Sequence, residues 1–355
     1  MISQQKQLNN LLEKAVEEGV FPGANYTIVT NDNVYYGSVG NKALQPSVEE
    51  NNIDTIYDMA SLSKVVVTTT LIMKLVEDGK VRLYDPVQVY LPRFKHDDIL
   101  VWDLMTHSSG LPADVSRAAK IASKEEALDK IYSAEKTYDK NEKIVYSDIG
   151  YMLLGFLIES VTSKSLDIVA QEMIFDPLNM KDSGYFPKDI TRVAPTEFRH
   201  EEVFDGLLRG KVHDEKAYIL GGPAGHAGLF STVKDVSHFL TMFLQDGMYQ
   251  GKQFFSKATI DLLFRAQVEV KNKISLDTEK RGLGWIVQGN YSSASDLASP
   301  ETILHTGFTG TNIFIDRKNK IAFCMLSNRV HPTRDNIKII RFRPKVGNFV
   351  LGHFI

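Results

Sequence analysis

The sequence has a single cysteine, no long apolar run and no apolar amino-terminal segment. Cys324 lies in the apolar stretch 321–326, which is typical of a thiol in a core strand, and a lone cysteine excludes an intrachain disulfide. Residues 1–18 are rich in Gln, Asn, Glu and Lys and predict no signal peptide. The longest apolar runs are shorter than the roughly 20 residues of a membrane-spanning helix. We therefore expect a soluble, cytoplasmic chain, or an extracytoplasmic one if a leader has been removed.

The chain also lacks a strong excess of either charge. Its 41 Lys and Arg residues nearly balance 44 Asp and Glu residues, which gives a formal net charge of −3. This balance gives no reason to expect nucleic acid or an anionic membrane as a partner. At 355 residues, with a hydrophobic content of 43%, the chain can bury a large core and divide into two domains.

Strand-like and helical patterns occupy different parts of the sequence. Alternating or β-branched runs lie near both ends, at 24–30, 34–39, 284–288, 302–306, 311–315 and 321–327. Between residues 81 and 216 apolar residues recur at helical spacing, and the tail 335–355 is expected to be partly helical, interrupted by Pro344. We predict an α/β two-domain fold of the α+β type. Residues 1–79 and 217–355 would form an antiparallel sheet flanked by N- and C-terminal helices, residues 80–216 an all-helical or mostly helical domain, and the cleft between them the active site.

The most informative stretch contains Ser61 and Lys64. These residues share one face of a helix predicted to run from Ser61 to about Asp78. At a helix start the serine's own N–H is free, so the pair supplies a hydroxyl nucleophile, an amine that can take its proton and an oxyanion donor. Only this pair precedes a long uncharged run, 65–73, which can desolvate Lys64 and lower its pKa. The same spacing recurs in polar, charged or helix-capping contexts at Ser3/Lys6, Ser133/Lys136 and Ser231/Lys234, where Ser231 is predicted to be an N-cap.

A second polar stretch, Tyr146-Ser147-Asp148, precedes a helix predicted over 151–160. A phenol beside an ammonium has its phenolate form favoured, so Tyr146 could shuttle a proton between Ser61 and a leaving group. The alternative is a surface tyrosine next to Asp148 acting as an N-cap. Taken alone, the stretch favours that alternative.

A third stretch, His305-Thr306-Gly307, ends a predicted strand before a turn. Thr306 and an exposed strand edge could hold an extended substrate, while His305 supplies a donor or a proton switch. The alternative is a strand-end histidine with Gly307 serving only the turn. In isolation that reading is again the better one.

Other histidines carry weaker signals. His226, in the glycine-rich stretch 221–228, either lines the cleft opposite Ser61 or only hydrogen-bonds loop backbone, and the two readings are evenly balanced. His213 has no second histidine at ligand spacing, so we expect structural contacts and no metal site. His107 is expected to organise a loop. The glycine-rich stretch lacks the lysine and spacing of a phosphate-binding loop.

Taken together, the order Ser-x-x-Lys, Tyr-Ser-Asp, His-Thr-Gly resembles the penicillin-binding-protein and serine β-lactamase superfamily, and its spacing looks like the class C branch. The stretches 104–111, 151–155, 225–232 and 304–311 also resemble class C-like hydrolases. The resemblance implies Ser61 as the acylated nucleophile, with Lys64 and Tyr146 sharing proton transfer. It implies an oxyanion hole formed by the backbone N–H groups of Ser61 and Phe308, a substrate-binding role for Thr306, Gly307 and His226, and no cofactor.

Two positions depart from the family pattern. Asp148 stands where the family usually carries Asn, and its charge would raise the pKa of Lys64, leaving Tyr146 a larger share of the base role. His305 stands where β-lactamases and carboxypeptidases usually carry Lys, so a permanent positive charge for a substrate carboxylate is weakened. Both residues are counted with Ser61, Lys64 and Tyr146 as catalytic candidates.

The sequence therefore predicts a serine hydrolase that forms an acyl-enzyme at Ser61 with an amide or ester. A D-amino-acid-containing or cell-wall-type peptide is the first choice of substrate, a carboxylic ester the second and a β-lactam the third. The contrasting hypothesis is a penicillin- or peptide-recognising protein that binds, even covalently, without turnover. All of these partners are small molecules or peptides, and the oligomeric state is left open.

Overall fold

The computed structural model describes residues 2–115, 121, 123–201, 204–271, 278–287 and 293–355. The α-helices are α1 (Ile2–Glu17), α2 (Thr70–Glu77), α3 (Val87–Tyr90), α4 (Val101–Met105), α5 (Lys124–Tyr132), α6 (Asp148–Thr162), α7 (Leu166–Ala170), α8 (Glu215–Leu220), α9 (Val233–Leu244), α10 (Lys257–Leu263) and α11 (Ile339–His353). The strands are β1 (Gly23–Thr30), β2 (Val34–Ala43), β3 (Glu49–Glu50), β4 (Tyr57–Asp58), β5 (Phe198–Glu201), β6 (Phe204–Leu207), β7 (Phe230–Ser231), β8 (Met248–Tyr249), β9 (Lys252–Gln253), β10 (Val268–Lys271), β11 (Thr278–Arg281), β12 (Ile286–Val287), β13 (Thr302–Thr306), β14 (Asn312–Asp316) and β15 (Ile321–Ser327).

A nine-stranded antiparallel sheet, in the order β10-β11-β12-β13-β14-β15-β1-β2-β3, forms the centre of the fold. The strand nearest the amino terminus, β1, pairs with the last strand, β15, so that Ala24 lies opposite Ser327 and Thr30 opposite Ile321. The predicted mixed α/β fold with a large antiparallel sheet, completed by both ends of the chain, is confirmed. Of the predicted strand 284–288, only Ile286–Val287 is a strand, and Gln288 lies outside the described residues.

The sheet is covered on both faces, and β15 shows why its sequence is apolar without a break. Its alternate residues Phe323 and Met325 enter a core with helices α1 and α11, whereas Cys324 and Leu326 enter the core that contains α9 and the remaining helices. A strand buried on both faces reads as a continuous apolar run because successive side chains point to opposite faces. The Cys324 thiol is fully buried, as its sequence context predicted, and burial raises its pKa well above the ordinary value.

The helices on the second face centre on α6. Nine residues of α6 are buried, and it packs against α3, α4, α5 and α7 and against the helix that follows Ser61. That helix contains a π-helical segment, Lys64–Thr69, and continues into α2. A helix that is apolar around most of its circumference is stable only when enclosed in this way. The stretch 80–216 is not entirely helical, because it also contains the hairpin of β5 and β6.

Three local predictions differ from the structure. Ser61 lies in the turn before the helix, which begins at Leu62. The N-cap of α9 is Thr232, whose side chain accepts a hydrogen bond from the Asp235 N–H, so Ser231 is not the cap. Pro344 lies inside α11 without interrupting it. Burial of the apolar face of α11 outweighs the single backbone hydrogen bond that a proline removes.

Among the described residues, no helix is both long and apolar enough to cross a membrane.

Candidate active site

The turn that carries Ser61 is built by β4 and the start of the following helix. Strand β4 pairs with β7, which follows the glycine-rich stretch. Asp58, at the end of β4, accepts a hydrogen bond from the Ala60 N–H at 2.8 Å, and Ala60 adopts a left-handed φ of 47°. A non-glycine residue in this conformation is uncommon and costs roughly 1–3 kcal/mol. The turn presents Ser61 at the surface of a cavity, while its neighbours Ala60 and Leu62 are buried.

Lys64 lies below Ser61 and is completely buried. Its Nζ contacts three oxygen atoms: Ser61 Oγ at 3.1 Å, the His226 carbonyl at 2.9 Å and Asp148 Oδ1 at 2.7 Å. The first two contacts are hydrogen bonds and the third is an ion pair. The sequence predicted both a lowering of the Lys64 pKa by burial and a raising by Asp148.

The structure resolves that competition. Burial lowers the pKa of Lys64, but the opposing contributions of the Asp148 carboxylate and the Tyr146 phenol outweigh it, and the pKa lies above the ordinary value. Lys64 is therefore an ammonium at neutral pH and donates a hydrogen bond to Ser61 Oγ. Asp148 can reach it because the N-cap of α6 is Ser147, whose side chain accepts from the Gly150 N–H. The alternative reading of Asp148 as the cap is wrong.

Two tyrosine rings lie against the lysine, and two histidine rings lie near those tyrosines. The Tyr146 ring centroid lies 4.8 Å from Lys64 Nζ, and the Tyr151 centroid 5.8 Å. The His107 ring lies between the two tyrosines, at 4.6 Å from Tyr146 and 5.0 Å from Tyr151, and the His305 ring lies 6.0 Å from Tyr146. His107 Nδ1 accepts from the Ser147 N–H at 3.0 Å, so this histidine organises the loop that carries Tyr146. The structure thus brings the three sequence motifs together around one ammonium.

His305 is buried at the end of β13 and is neutral. Its Nδ1 donates to the Thr306 carbonyl at 3.0 Å, which leaves Nε2 as a hydrogen-bond acceptor without a partner among the described residues. Burial and the nearby charges of Lys64 and Arg281 hold the pKa of His305 well below its ordinary value. The same causes, with burial first, lower the pKa of His107. His305 therefore does not supply the permanent positive charge that a lysine would provide.

The loop after His305 is attached directly to the turn that carries Ser61. Thr309 Oγ1 donates to the Asp58 carbonyl at 2.8 Å, and Thr311 Oγ1 donates to the Met59 carbonyl at 3.1 Å. A Cβ on Gly307 would lie only 2.1 Å from Thr311 Oγ1 and 2.8 Å from the Met59 carbonyl oxygen, so this close approach requires glycine.

Two backbone donors of these adjacent segments are available. No intrachain hydrogen bond from the described residues engages the N–H of Ser61 or of Phe308. The predicted oxyanion pair is thus free of internal partners.

A cavity of about 450 Å³ opens over Ser61. Tyr146, His305, Thr306 and Gly307 line it at the catalytic end. Its remaining wall is apolar or cationic and consists of Arg281, Ile286, Phe308, Arg329, Arg334, Ile337, Ile339, Ile340 and Arg343. The four arginines place around Ser61 the positive charge that His305 lacks.

Sequence reasoning missed these arginines. Arg343 did carry a signal, because it lies on the otherwise apolar face of α11 with Ile339, Phe342 and Val346, all buried. Arg281 and Arg329 carried none, since only the pairing of distant strands brings them to Ser61.

His226 does not line the cavity, in contrast to the predicted substrate-binding role. Its ring is buried and Nε2 pairs with Asp214 Oδ1 at 2.8 Å, while its carbonyl accepts from Lys64. Burial is the largest influence on the pKa of Asp214 and raises it, but His226, Lys216 and the Ala217 N–H together outweigh burial and bring the pKa well below the ordinary value. His213 makes the expected structural contacts: its ring stacks on Phe308 at 5.5 Å and bonds Glu197. Within the described parts of the chain, no group of three or more His, Cys, Asp or Glu side chains could hold a metal ion.

Comparison with known proteins agrees with this fold and arrangement of residues. The Beta-lactamase family profile matches residues 8–347. A protein of Salmonella agona named "Putative D-alanyl-D-alanine carboxypeptidase" is 35% identical over 320 residues, which cover 81% of this chain and 72% of the relative. The chain belongs to the Beta-lactamase family, within the penicillin-binding-protein and serine β-lactamase superfamily, as its motifs predicted.

Solved structures show the same fold. One described as "EstCE1, a hydrolase with promiscuous acyltransferase activity" has a TM-score of 0.77 at 20% identity, covering 98% of this chain and 100% of its own. Another, described as "A class C beta-lactamase", has a TM-score of 0.77 at 18% identity, covering 99% of this chain and 97% of its own. The fold is therefore that of β-lactamases and transpeptidases, and the chain is a serine hydrolase.

Proposed function

We propose that Ser61 is the nucleophile of an acyl-enzyme hydrolase acting on an amide or ester that bears a carboxylate near the scissile bond. The observation that carries this proposal is the contact of Lys64 Nζ with Ser61 Oγ at 3.1 Å beneath a cavity lined by four arginines. A serine with a cation below it and backbone donors beside it has the parts that acyl transfer needs.

In the proposed reaction, Ser61 Oγ attacks the substrate carbonyl carbon and its proton passes to the Tyr146 oxygen. The carbonyl electron pair moves to its oxygen, which the N–H groups of Ser61 and Phe308 stabilise. Collapse of this intermediate breaks the C–N or C–O bond, and the leaving amine or alcohol takes the proton from Tyr146. Water then repeats the sequence on the ester at Ser61 and releases the acid.

We assign the base role to Tyr146 because Lys64 is held as an ammonium. Asp148 and Tyr146 keep its pKa above the ordinary value, so Lys64 has no lone pair to accept a proton at neutral pH. Its role is then to orient Ser61 Oγ beside Tyr146, whose ring centroid lies 4.8 Å from Lys64 Nζ.

Arg281 is the best candidate to bind the substrate carboxylate. Arg329 and Arg334 are occupied, the first by the carbonyls of Phe308, Arg334 and Asn336 and the second by the carboxylates of Glu197 and Glu215. Arg281 pairs with Glu279 through Nε, but its Nη1 is buried without a hydrogen-bond partner among the described residues. A buried unpaired donor is costly, and a substrate carboxylate would satisfy it.

This chemistry favours a peptide with a free C-terminal carboxylate as substrate. The relative named as a D-alanyl-D-alanine carboxypeptidase at 35% identity supports a D-amino-acid-containing, cell-wall-type peptide. A carboxylic ester is the second candidate, because Ile337 and Ile340 make one wall of the cavity apolar. A β-lactam ranks third, and recognition without turnover last, since Ser61, Lys64 and Tyr146 are all present.

We also propose the domain division that the sequence suggested, with residues 1–79 and 217–355 as one domain and 80–216 as the other. The lining of the cavity supports it, because Tyr146 comes from the second segment and Ser61 and His305 from the first.

A substrate panel tests the proposed function. D-alanyl-D-alanine peptides, their C-terminal amides, p-nitrophenyl esters and a chromogenic cephalosporin are compared with the wild-type chain and Ser61→Ala. We expect the free-acid peptides to be turned over fastest and Ser61→Ala to lose nearly all turnover. Full turnover by Ser61→Ala would refute the assignment of Ser61 as the nucleophile. A preference for the amides or the cephalosporin would refute the proposal that the substrate carries a free carboxylate.

A further inference from the structure

The guanidinium of Arg343 contacts the peptide group that contains the Phe308 N–H. Its Nη2 donates to the Gly307 carbonyl at 2.6 Å and to the Thr311 carbonyl at 3.0 Å. The Gly307 carbonyl and the Phe308 N–H are the two ends of one peptide group. Because a peptide group is planar and trans, fixing the carbonyl direction fixes the N–H in the opposite direction.

The same contact affects the strength of the N–H donor. A cationic donor on the carbonyl oxygen draws electron density through the amide and makes its N–H more positive, the cooperative effect seen in chains of hydrogen bonds. The Thr311 carbonyl also accepts from the Gly307 N–H at 2.8 Å. Arg343 therefore joins both sides of the turn that follows His305.

Burying the charged side chain of Arg343 at this position is energetically unfavourable. Its side chain is buried in α11, its Nε has no hydrogen-bond partner among the described residues, and its Nη2 donates to two neutral carbonyls. Burial, followed by the charge of Arg329, lowers its pKa to about 10, so it still carries its charge at neutral pH. A buried cation held only by carbonyls destabilises the fold relative to an apolar residue of similar size. Its position behind the Phe308 N–H offers a reason for its presence.

We propose that Arg343 is a positioning residue that orients and polarises the Gly307–Phe308 peptide, so that the Phe308 N–H stabilises the oxyanion formed during acyl transfer to Ser61. This inference rests on the proposed function. Arg343 touches the substrate in none of these steps and acts through the peptide group. Its loss weakens a donor without removing it, so we expect a rate effect of about tenfold, below the hundred- to thousandfold of deleting an oxyanion donor.

The test compares Arg343→Met with Arg341→Met, a matched control on the same helix whose side chain is exposed. Both are assayed with p-nitrophenyl acetate, and isotope-edited infrared spectra of the acyl-enzyme are recorded with the carbonyl carbon labelled. For Arg343→Met we expect kcat to fall about tenfold with KM little changed, and the acyl carbonyl stretch to move to higher frequency. Arg343→Lys should recover part of both effects, because an ammonium can still donate to the Gly307 carbonyl.

The outcomes separate this inference from the function on which it rests. A normal adduct on Ser61 with an unchanged carbonyl frequency in Arg343→Met would overturn the inference alone, as would an effect confined to KM. Absence of any wild-type adduct would overturn the proposed function and the inference with it. If Arg343→Met does not fold, Arg343→Lys is compared with the wild-type chain instead. A kcat and a carbonyl frequency equal to those of the wild type would then contradict the inference.

Discussion

Lys64 Nζ lies 2.7 Å from Asp148 Oδ1, and the lysine is completely buried. A carboxylate beside a buried amine keeps the proton on the amine, because the ammonium and carboxylate stabilise each other more strongly than burial penalises the charge. The base for Ser61 is then a different group, and Tyr146, which lines the same cavity as Ser61, is the proposed base.

We predict that Asp148→Asn narrows the alkaline side of the activity profile. Without the carboxylate, burial lowers the pKa of Lys64, so the ammonium is lost at lower pH. The alkaline limb of kcat/KM should move down by about one to three pH units, the usual effect of an opposite charge at this distance. The profile is measured with a p-nitrophenyl ester. The exposed substitution Asp97→Asn serves as control, and an unmoved limb in Asp148→Asn would count against the ammonium role.

Arg281→Met should impair recognition of a carboxylate. A charge-assisted hydrogen bond is worth about 1.5–3 kcal/mol, so we expect kcat/KM for a free-acid peptide to fall roughly 10- to 150-fold. The corresponding C-terminal amide should lose much less, because it brings no charge to Nη1. Arg265→Met, which removes an exposed arginine, is the matched control. Equal losses on acid and amide would exclude Arg281 as the carboxylate site.

Gly307→Ala should reduce activity more than a glycine substitution elsewhere. The added Cβ would lie 2.1 Å from Thr311 Oγ1 and 2.8 Å from the Met59 carbonyl oxygen, which forces the turn after His305 away from Ser61. Overpacking of this kind costs about 1–3 kcal/mol of stability, and displacement of the Phe308 N–H adds a loss of rate. Gly184→Ala, whose Cβ would have no neighbour within 4 Å, is the control. A wild-type kcat in Gly307→Ala would show that activity does not depend on the close contact between the turn after His305 and the turn of Ser61.

The buried histidines make stability fall in mild acid. The pKa values of His107 and His305 are well below the ordinary value of 6.5, so below about pH 6.5 the unfolded chain binds protons that the folded chain does not. The free energy of unfolding should therefore decrease as pH falls, by about 1.4 kcal/mol per pH unit for each such histidine, until the folded pKa is reached. Urea unfolding of wild type and His305→Gln between pH 6 and pH 5 checks this. The variant should show a slope smaller by that amount, and an equal slope would contradict it.

Much of the fold was predictable because its signals are local. The apolar run that becomes β15 and the uncharged run after Lys64 can be recognised as buried elements from their own residues. No knowledge of their packing partners is needed, because each element is buried around most of its surface. Helix α11 was harder, because a proline in sequence indicates a break while the packing of its apolar face decides otherwise. The conformation of the turn from Tyr57 to Ala60 was also difficult to predict. Ala60 has a left-handed φ, and the turn is held by hydrogen bonds from the distant residues Thr309 and Thr311.

The site was predictable in its motifs and not in its surroundings. Ser61, Lys64, Tyr146 and His305 could be selected because their spacing resembles a known family. The charge of the site could be foreseen at Asp148 and at His305, because both residues lie within the motifs. The cationic wall escaped prediction because pairing between remote strands places Arg281 and Arg329.

The pairing of β1 with β15 has a consequence for the order of events during synthesis. The ribosome releases β1 nearly 300 residues before β15 exists, yet β1 lies between β15 and β2 in the finished sheet. Until β15 has been synthesised, one edge of β1 is open to pairing with other chains. The sheet therefore cannot be completed strand by strand as the chain emerges. The same holds for the turn of Ser61, because it is attached to the loop of Thr309 and Thr311. A chain that ends between Asp316 and Ile321 lacks β15 but still contains Ser61, Lys64, Tyr146 and His305, and it should aggregate and be inactive.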